Sequence, residues 1–148
     1  MATQSAIRFT LVGISTEQFA KIFIPEENRN LELNISVSVN SNYNEGAIAI
    51  TPTINFKESE NPFLLLECTC HFKIEPSDWD LLTNSSKTNA TIPKDTIRHM
   101  VALSLSTARG ILHGKTENSD YNKFYLPLID STSFDGGDIV IEIESKDV

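Results

Sequence analysis

Residues 92–114 read IPKDTIRHMVALSLSTARGILHG, and this stretch decides how the rest of the chain folds. At about 100° of rotation per residue, seven of its apolar side chains fall within one arc roughly 140° wide. The arc contains Ile97, Met100, Val101, Leu105, Ala108, Ile111 and Leu112. Pro93 suits a first helical turn, Asp95 places negative charge near its positive end, and Gly114 before a lysine is typical of a helix end. The pattern predicts one long helix that lies on a core.

A second, smaller surface lies beside this apolar arc. Ser104 and Ala108 occupy the middle of the arc, so the helix can approach its support closely. Leu103, Gly110 and Gly114 fall together outside the arc, where two glycines leave room for another backbone to approach. The remaining polar side of the helix contains Arg98, His99, Ser106, Arg109 and His113.

The first half of the sequence alternates between apolar and polar residues in four segments. The clearest is Leu31–Asn40, where every second residue is Leu, Ile or Val. Similar alternation predicts strands at Ala6–Gly13, Ala47–Phe56 and Phe63–Ile74. Pro52 shares the parity of the apolar residues in its segment and indicates an edge strand or a bulge there. Together the four segments predict an antiparallel four-stranded meander with one buried face.

The remaining segments complete the prediction of a single α+β domain over residues 1–148, with the long helix packed on the apolar face of the sheet. Glu75–Leu82 favours a short helical turn, and Thr83–Thr91 is rich in Ser and Asn and predicts a loop. Phe134–Asp138 predicts a tight turn. The alternation of Ile139, Ile141 and Ile143 then predicts an extra C-terminal strand.

The composition argues against several classes of function. The net charge of -8, from 20 acidic and 12 basic residues, disfavours a DNA- or RNA-binding surface because phosphate contacts need clustered Lys and Arg. No apolar run approaches the roughly 20 residues of a membrane span, and the N-terminal residues lack a secretion-signal pattern. Two cysteines are too few for a disulfide framework. We therefore expect a cytoplasmic protein.

The motifs that resemble catalytic or metal-binding sites have better structural explanations. On a strand, Cys68 and Cys70 share one face while His71 points to the other, which favours core cysteines over a zinc site. Gly110–Thr116 has three residues between its glycines where a phosphate-binding loop needs four. The three histidines accompany no nucleophile motif such as G-x-S-x-G. We predict no enzyme activity, no catalytic residue, no metal and no cofactor.

The chain contains more apolar residues than one sheet and one helix would bury. They occur in the segment after the first strand, as Phe19, Ile22, Phe23 and Ile24. They occur again after the long helix, as Phe124, Tyr125, Leu126 and Leu128. Ordinary core and loop packing is one explanation, and an apolar groove or an oligomer interface is the other.

The order of these parts resembles the SecB family of protein-export chaperones. In that family four antiparallel strands, with an apolar crossover between the first two, precede a long helix. The resemblance covers most of the chain, roughly Ala6–Asp130, and is carried by Thr16–Phe19, Phe72–Ile74, Ala108–Gly110 and Leu126–Asp130. The sequence departs from the family where a second helix normally follows, because it has Phe134–Asp138 and a predicted strand there.

The resemblance implies a cytoplasmic, ATP-independent chaperone that holds unfolded or export-bound polypeptides in apolar grooves. It implies a homotetramer built as a dimer of dimers, and it raises the protein-translocase motor as a partner. The predicted client groove consists of Phe19, Ile22, Phe23, Ile24, Leu126 and Leu128. The predicted subunit interface consists of Leu103, Gly110 and Gly114. Two alternatives stay open: the same fold serving one dedicated client, as in a toxin–antitoxin set, and an adaptor or structural protein without chaperone activity.

Overall fold

The computed structural model describes residues 7–26, 30–42, 46–85, 88–129 and 139–142. Its first half forms four long strands: β1 (Phe9–Lys21), β2 (Leu31–Asn42), β3 (Ala47–Glu58) and β4 (Asn61–Ile74). Then follow α1 (Pro76–Leu82), β5 (Asn89–Ile92), α2 (Lys94–Thr116), a 3-10 turn (Asp120–Lys123) and β6 (Ile139–Glu142). The predicted fold class is confirmed: an antiparallel four-stranded sheet is followed by one long helix, and an extra strand comes last.

The four long strands lie in the order β1-β4-β3-β2. The strands β2, β3 and β4 follow one another as a meander, whereas β1 pairs with β4 on the far side. Therefore β1 and β2 are the two edges of the sheet, and the chain crosses from one edge to the other between Lys21 and Leu31. This crossing includes the apolar residues Ile22–Pro25.

The first strand is longer than its alternation predicts. Residues 14–21, which the sequence leaves outside the strand, continue β1 along β4. The register shifts between Leu11 and Gly13 and again between Thr16 and Gln18. Each shift inserts an extra residue and changes which side chains face the core, so the period of two is lost although the strand continues.

Pro52 lies in the interior strand β3, not at an edge or a bulge as predicted. The β3–β4 register is the same on both sides of it, with Ile50 opposite Cys70 and Thr53 opposite Glu67. The sheet therefore accommodates the missing N–H of proline without inserting a residue. The side chain of Pro52 is buried with the other apolar residues of its parity, which accounts for an apolar residue at this position.

The helix α2 packs over β3 and β4 and buries the predicted apolar arc. Of that arc only Ile111 is partly exposed. On the sheet, burial covers Ile48, Ile50, Ile54, Leu64, Leu66, Cys68, Cys70, Phe72 and Ile74. The helix ends at Thr116, two residues beyond the predicted stop, and the Thr116 hydroxyl donates to the Leu112 carbonyl at 2.8 Å.

Residues 89–92 form a strand in a segment that the sequence predicts as a loop. This strand, β5, pairs antiparallel with β6, so that Ile92 lies opposite Ile139. Ala90 and Ile92 are fully buried. The pairing partner comes from the other end of the chain, which explains why the local pattern does not reveal the strand. The predicted turn Phe134–Asp138 and Ile143 lie outside the described residues.

An ion pair ties the start of β1 to α1. The Arg8 side chain donates from Nε to Asp78 Oδ2 at 3.0 Å, and the Arg8 backbone N–H donates to the same oxygen at 2.8 Å. The Glu75 backbone N–H in turn donates to the Arg8 carbonyl at 2.9 Å. The hydrogen bonds from Arg8 hold the pKa of Asp78 below its usual value, although partial burial of the carboxyl opposes this.

We expect Asp78→Asn to lower the thermal unfolding midpoint by roughly 2–5 °C near neutral pH, because the amide removes the charge that Arg8 pairs with. The pKa of Asp78 is lower in the folded chain than in the unfolded one. Its stabilisation is therefore present above the unfolded value of about 3.9 and is lost as the pH falls through the folded value. Circular dichroism melts should show the gap between native protein and variant closing in acid.

The control for this prediction is Asp80→Asn, which removes an exposed carboxylate from the same helix. This control should have the same thermal unfolding midpoint as the native protein at every pH. A gap for Asp78→Asn that stays constant from neutral to acid pH would contradict the ionic contribution.

Candidate functional site

Four phenylalanine rings meet at one end of the sheet and form what we call the aromatic cluster. The ring of Phe63 lies with its centroid 5.9 Å from Phe23, 6.1 Å from Phe56 and 4.8 Å from Phe124. Phe56 and Phe124 are also in contact, at 5.9 Å. The cluster therefore joins the crossing segment, the β3–β4 hairpin and the segment after α2.

The register of the hairpin explains why Phe63 is at the centre. Phe56 lies opposite Leu64 and Lys57 lies opposite Pro62, so Phe63 is the residue skipped by the shift. A bulged residue leaves the strict alternation of the strand, which lets Phe63 face the same side as Leu64. Both side chains are fully buried. The shift thus creates a buried aromatic platform on which two irregular segments can pack.

The structure brings together the two segments that the sequence predicts as groove walls. The crossing segment is held against β4, because the Ile22 backbone N–H donates to the Phe63 carbonyl at 2.9 Å. The segment after α2 begins with Phe124, whose ring also packs against Phe63, at 4.8 Å. Two stretches about 100 residues apart in sequence therefore share one support.

The six predicted groove residues differ in how far they are open to solvent. Phe19, Phe23 and Ile24 are half-buried, and the Lys115 ammonium lies 5.4 Å above the Phe19 ring. Leu126 is 1% exposed and belongs to the core. Ile22 and Leu128 are open, at 56% and 90%. Of the six predicted groove residues, only the exposed and half-buried ones are therefore accessible to a bound polypeptide.

Tyr125 joins the open residues although the sequence does not single it out as a groove residue. Its side chain is 67% exposed. It lies between the buried Leu126 and the cluster residue Phe124, so the extended backbone turns it outward. We call Ile22, Tyr125 and Leu128 the exposed rim of the aromatic cluster.

The segment 124–129 is attached to α2 by Arg109. The Arg109 Nε donates to the Leu126 carbonyl at 2.8 Å, and Nη2 donates to the Pro127 carbonyl at 2.8 Å. The sequence places Arg109 on the polar side of the helix, and the structure shows that its guanidinium donates hydrogen bonds to the backbone of another segment.

The side of α2 next to β1 is a second apolar surface. At one end of the helix the His99 ring lies 5.3 Å from Phe9, and at the other Lys115 lies over Phe19. Because Phe9 and Phe19 belong to β1, the helix runs alongside that strand. The surface between these contacts is only partly covered, since α2 packs over β3 and β4.

The open apolar side chains of this second surface come from both elements. On β1, Leu11 lies opposite the buried Phe72 and Ile14 lies opposite the buried Cys70, which places both on the helix side of the sheet. They are nevertheless 45% and 50% exposed. On α2, Leu103 is 41% exposed. Sequence alternation missed this surface because it predicts Leu11 as a core residue.

The predicted subunit interface coincides with the helix side of this surface. Leu103, Gly110 and Gly114 are all exposed. A Cβ added to Gly110 or Gly114 would meet no atom within 4 Å. Nothing in the described part of the protomer therefore packs against the two glycines, and their role in assembly stays a prediction.

A polar cluster on the opposite face of the sheet brings a serine near a histidine. Ser15 Oγ donates to Glu17 Oε1 at 2.6 Å and lies 3.3 Å from His71 Nε2. Hydrogen bonds from Ser15 and Thr69 lower the pKa of Glu17. Because the single hydroxyl proton goes to Glu17, His71 does not act as the base for Ser15 in this arrangement. The geometry does not form a nucleophile–base pair.

Within the described residues, no group of three or more His, Cys, Asp or Glu lies close enough together to hold a metal ion. No helix in this part of the chain is both long and apolar enough to cross a membrane. The predicted core cysteines are buried, and desolvation raises the pKa of Cys68 to about 11.

Comparison with known proteins finds likeness only among solved structures. No protein-family profile matches the sequence, and no curated protein matches it. The chain is similar to the SecB-like chaperone Rv1957 of Mycobacterium tuberculosis, solved in complex with a ChAD peptide from the Rv1956 HigA1 antitoxin. The identity is 10%, the match covers 84% of this chain and 90% of that chain, and the TM-score is 0.46.

A second similar structure is a protein of unknown function from Streptococcus agalactiae. It is 12% identical, the match covers 94% of this chain and 100% of that chain, and the TM-score is 0.35. A SecB-like chaperone is thus among the structures that this chain resembles, as the sequence predicts. At these values the likenesses assign no family, client, partner or assembly to the chain.

We expect Gly110→Leu to fold as the native chain does, because the added Cβ meets no atom of the protomer and leucine favours a helix over glycine by about 0.5–1 kcal/mol. If Gly110 lies at a subunit interface, the bulky side chain should separate the subunits. Light scattering after size-exclusion chromatography should then give at most half the molar mass of the native particle.

The control is Asp80→Leu, which adds a leucine to an exposed position of α1, away from the predicted interface on α2. It should keep the native molar mass. A folded Gly110→Leu variant with the native mass would show that this side of α2 is not an interface.

Proposed function

We propose that this protein is an ATP-independent chaperone that holds non-native polypeptides by their apolar segments. The observation that carries the proposal is the exposed rim around a buried aromatic platform. Two segments distant in sequence pack on Phe63 and leave Ile22, Tyr125 and Leu128 open to solvent. A contiguous exposed apolar surface is typical of a binding site, and the proposal takes these three side chains as parts of one such surface.

The chemistry of the rim is suited to binding clients of many different sequences. An unfolded chain exposes apolar side chains, and burying them against the rim is favourable and non-directional. The site offers no charged pair or metal for a particular ligand within the described residues. Aliphatic and aromatic anchors therefore support binding of many apolar segments.

The size of the rim limits the affinity of one protomer. Fully burying a side chain of this kind contributes about 1.5–3 kcal/mol, so three contribute roughly 5–9 kcal/mol before the cost of association. A dissociation constant of about 1 µM corresponds to about 8 kcal/mol. One rim alone therefore supports only weak holding, and tight holding needs several rims in one particle.

Because one rim binds a client only weakly, we propose that the protein acts as an oligomer. The homotetramer implied by the resemblance would present four rims to one client chain. The open surface at Leu103, Gly110 and Gly114 supports packing between subunits. In this proposal the protein works in the cytoplasm on unfolded or export-bound chains, with the translocase motor as a partner, and needs neither nucleotide nor metal.

The test is the aggregation of an unrelated, chemically unfolded protein, followed by light scattering without nucleotide. The native oligomer should suppress aggregation near one oligomer per client. The double variant Ile22→Ser/Leu128→Ser should need at least about tenfold more protein for the same effect, because it removes two apolar anchors at each rim. Both positions are exposed, so the fold should not change.

The control is Leu81→Ser, which removes from α1 a leucine whose exposure, 79%, lies between those of Ile22 and Leu128. It should suppress aggregation as the native protein does. An equal loss in Leu81→Ser would contradict the assignment of the site to the rim. A well-folded native oligomer without any effect on unrelated clients would contradict a general chaperone and favour a dedicated client or an adaptor role.

A further inference from the structure

We infer that Arg109 is the positioning residue of the exposed rim, because its guanidinium fixes the backbone that turns Tyr125 and Leu128 outward. This inference rests on the proposed function. It concerns a residue that the sequence places on a solvated helix side and that contacts no rim side chain in the contacts described above.

The geometry is that of a two-pronged attachment. Nε and Nη2 of one guanidinium donate at 2.8 Å each to the carbonyls of two consecutive residues, Leu126 and Pro127. The planar fork of arginine can hold two neighbouring acceptors at once, which the compact ammonium of lysine does less well. Arg109 therefore fixes the direction of the backbone as well as its position.

The segment needs such an attachment because its own sequence disfavours regular secondary structure. Pro127 has no N–H to donate, and it disfavours a helical conformation at Leu126. The structure assigns residues 124–129 to neither helix nor strand. Within the described residues, their one backbone–backbone hydrogen bond is at their start, where the Phe124 N–H donates to the Tyr121 carbonyl.

The attachment also decides which apolar side chains are open. Leu126 is buried at 1% exposure, while Tyr125 and Leu128 on either side of it are open. All three would gain from burial, so apolar attraction alone does not select this arrangement. With both carbonyls held against α2, Leu126 faces the core and the other two cannot exchange places with it.

The helix in turn sets the direction of Arg109. Its neighbour Ala108 is fully buried against the sheet, and its other neighbour Gly110 faces open space. Arg109 lies between these two directions. The short motifs Ala108–Gly110 and Leu126–Pro127, which are 16 residues apart, are thus joined directly by the hydrogen bonds of Arg109.

The test uses a thiol as a probe of local opening. The substitution Leu126→Cys places a buried thiol in the segment, and its reaction with a disulfide reagent such as Ellman's reagent reports release of the segment. Cys68 and Cys70 are fully buried in the sheet and serve as internal references for global unfolding. The probe is combined with native Arg109, Arg109→Leu, Arg109→Lys and the charge-matched control Arg98→Leu.

We expect Arg109→Leu to speed the reaction of the probe at least about tenfold, because loss of hydrogen bonds from a charged donor favours local opening by about that factor. Arg109→Lys should be intermediate, Arg98→Leu should match the native background, and the two native cysteines should stay slow. Equal rates in Arg109→Leu and Arg98→Leu would overturn the inference. So would acceleration of Cys68 and Cys70 together with the probe.

A second measurement covers the case in which Leu126→Cys does not fold. In the chain without the probe, chymotrypsin cleavage after Phe124 and Tyr125 should be faster in Arg109→Leu than in Arg98→Leu. Equal cleavage would overturn the inference.

The aggregation assay separates this inference from the proposed function. Arg109→Leu should lose holding activity as the rim variants do, and Arg98→Leu should keep it. If the native protein holds no client, the proposed function is wrong, while the thiol and cleavage rates still decide whether Arg109 positions the segment. If the segment is released and holding is unchanged, Arg109 does not position the rim.

Discussion

The pairing of β1 with β4, across the sheet from β2, is the constraint on which the rest of this structure depends. It forces the chain to cross the end of the sheet between Lys21 and Leu31, and the apolar residues of the crossing must be covered there. The bulge at Phe63 supplies the cover by turning an additional ring inward. The segment after α2 then has an aromatic surface to pack on. The aromatic cluster thus depends on both the strand order and the bulge.

The parts of the fold that follow from local periodicity were predictable, and the parts that depend on distant partners were not. The helix arc around Ser104 and the strict alternation of β2 need only near neighbours in sequence, and both appear as predicted. The extension of β1 is hidden by its two register shifts. The strand β5 pairs along its whole length with β6, about 50 residues later in the chain. The position of Pro52 inside an interior strand is an exception to the rule that proline occurs at sheet edges or bulges.

The candidate site shows the same division. Apolar character marks both segments that meet on the aromatic cluster, and the sequence identifies them correctly as surplus to a simple sheet and helix. It does not separate Leu126, which is buried, from Leu128, which is open. That difference is set by backbone direction, which depends on a guanidinium 17 residues earlier in the chain. Residues that act through hydrogen bonds to the backbone of another segment leave little signal in composition or periodicity.

The burial of the two cysteines has a consequence for a protein proposed to handle unfolded chains. Such chains expose thiols and disulfides that a thiolate can attack, and the result would be a mixed disulfide that traps the client. The pKa of Cys68, raised to about 11, keeps that thiol protonated at neutral pH, and Cys70 is closed off beneath the helix with it. A protonated, inaccessible thiol is a poor nucleophile. In the proposed function, the fold would therefore keep its own thiols away from bound chains, and release of a client would stay a reversible, non-covalent process.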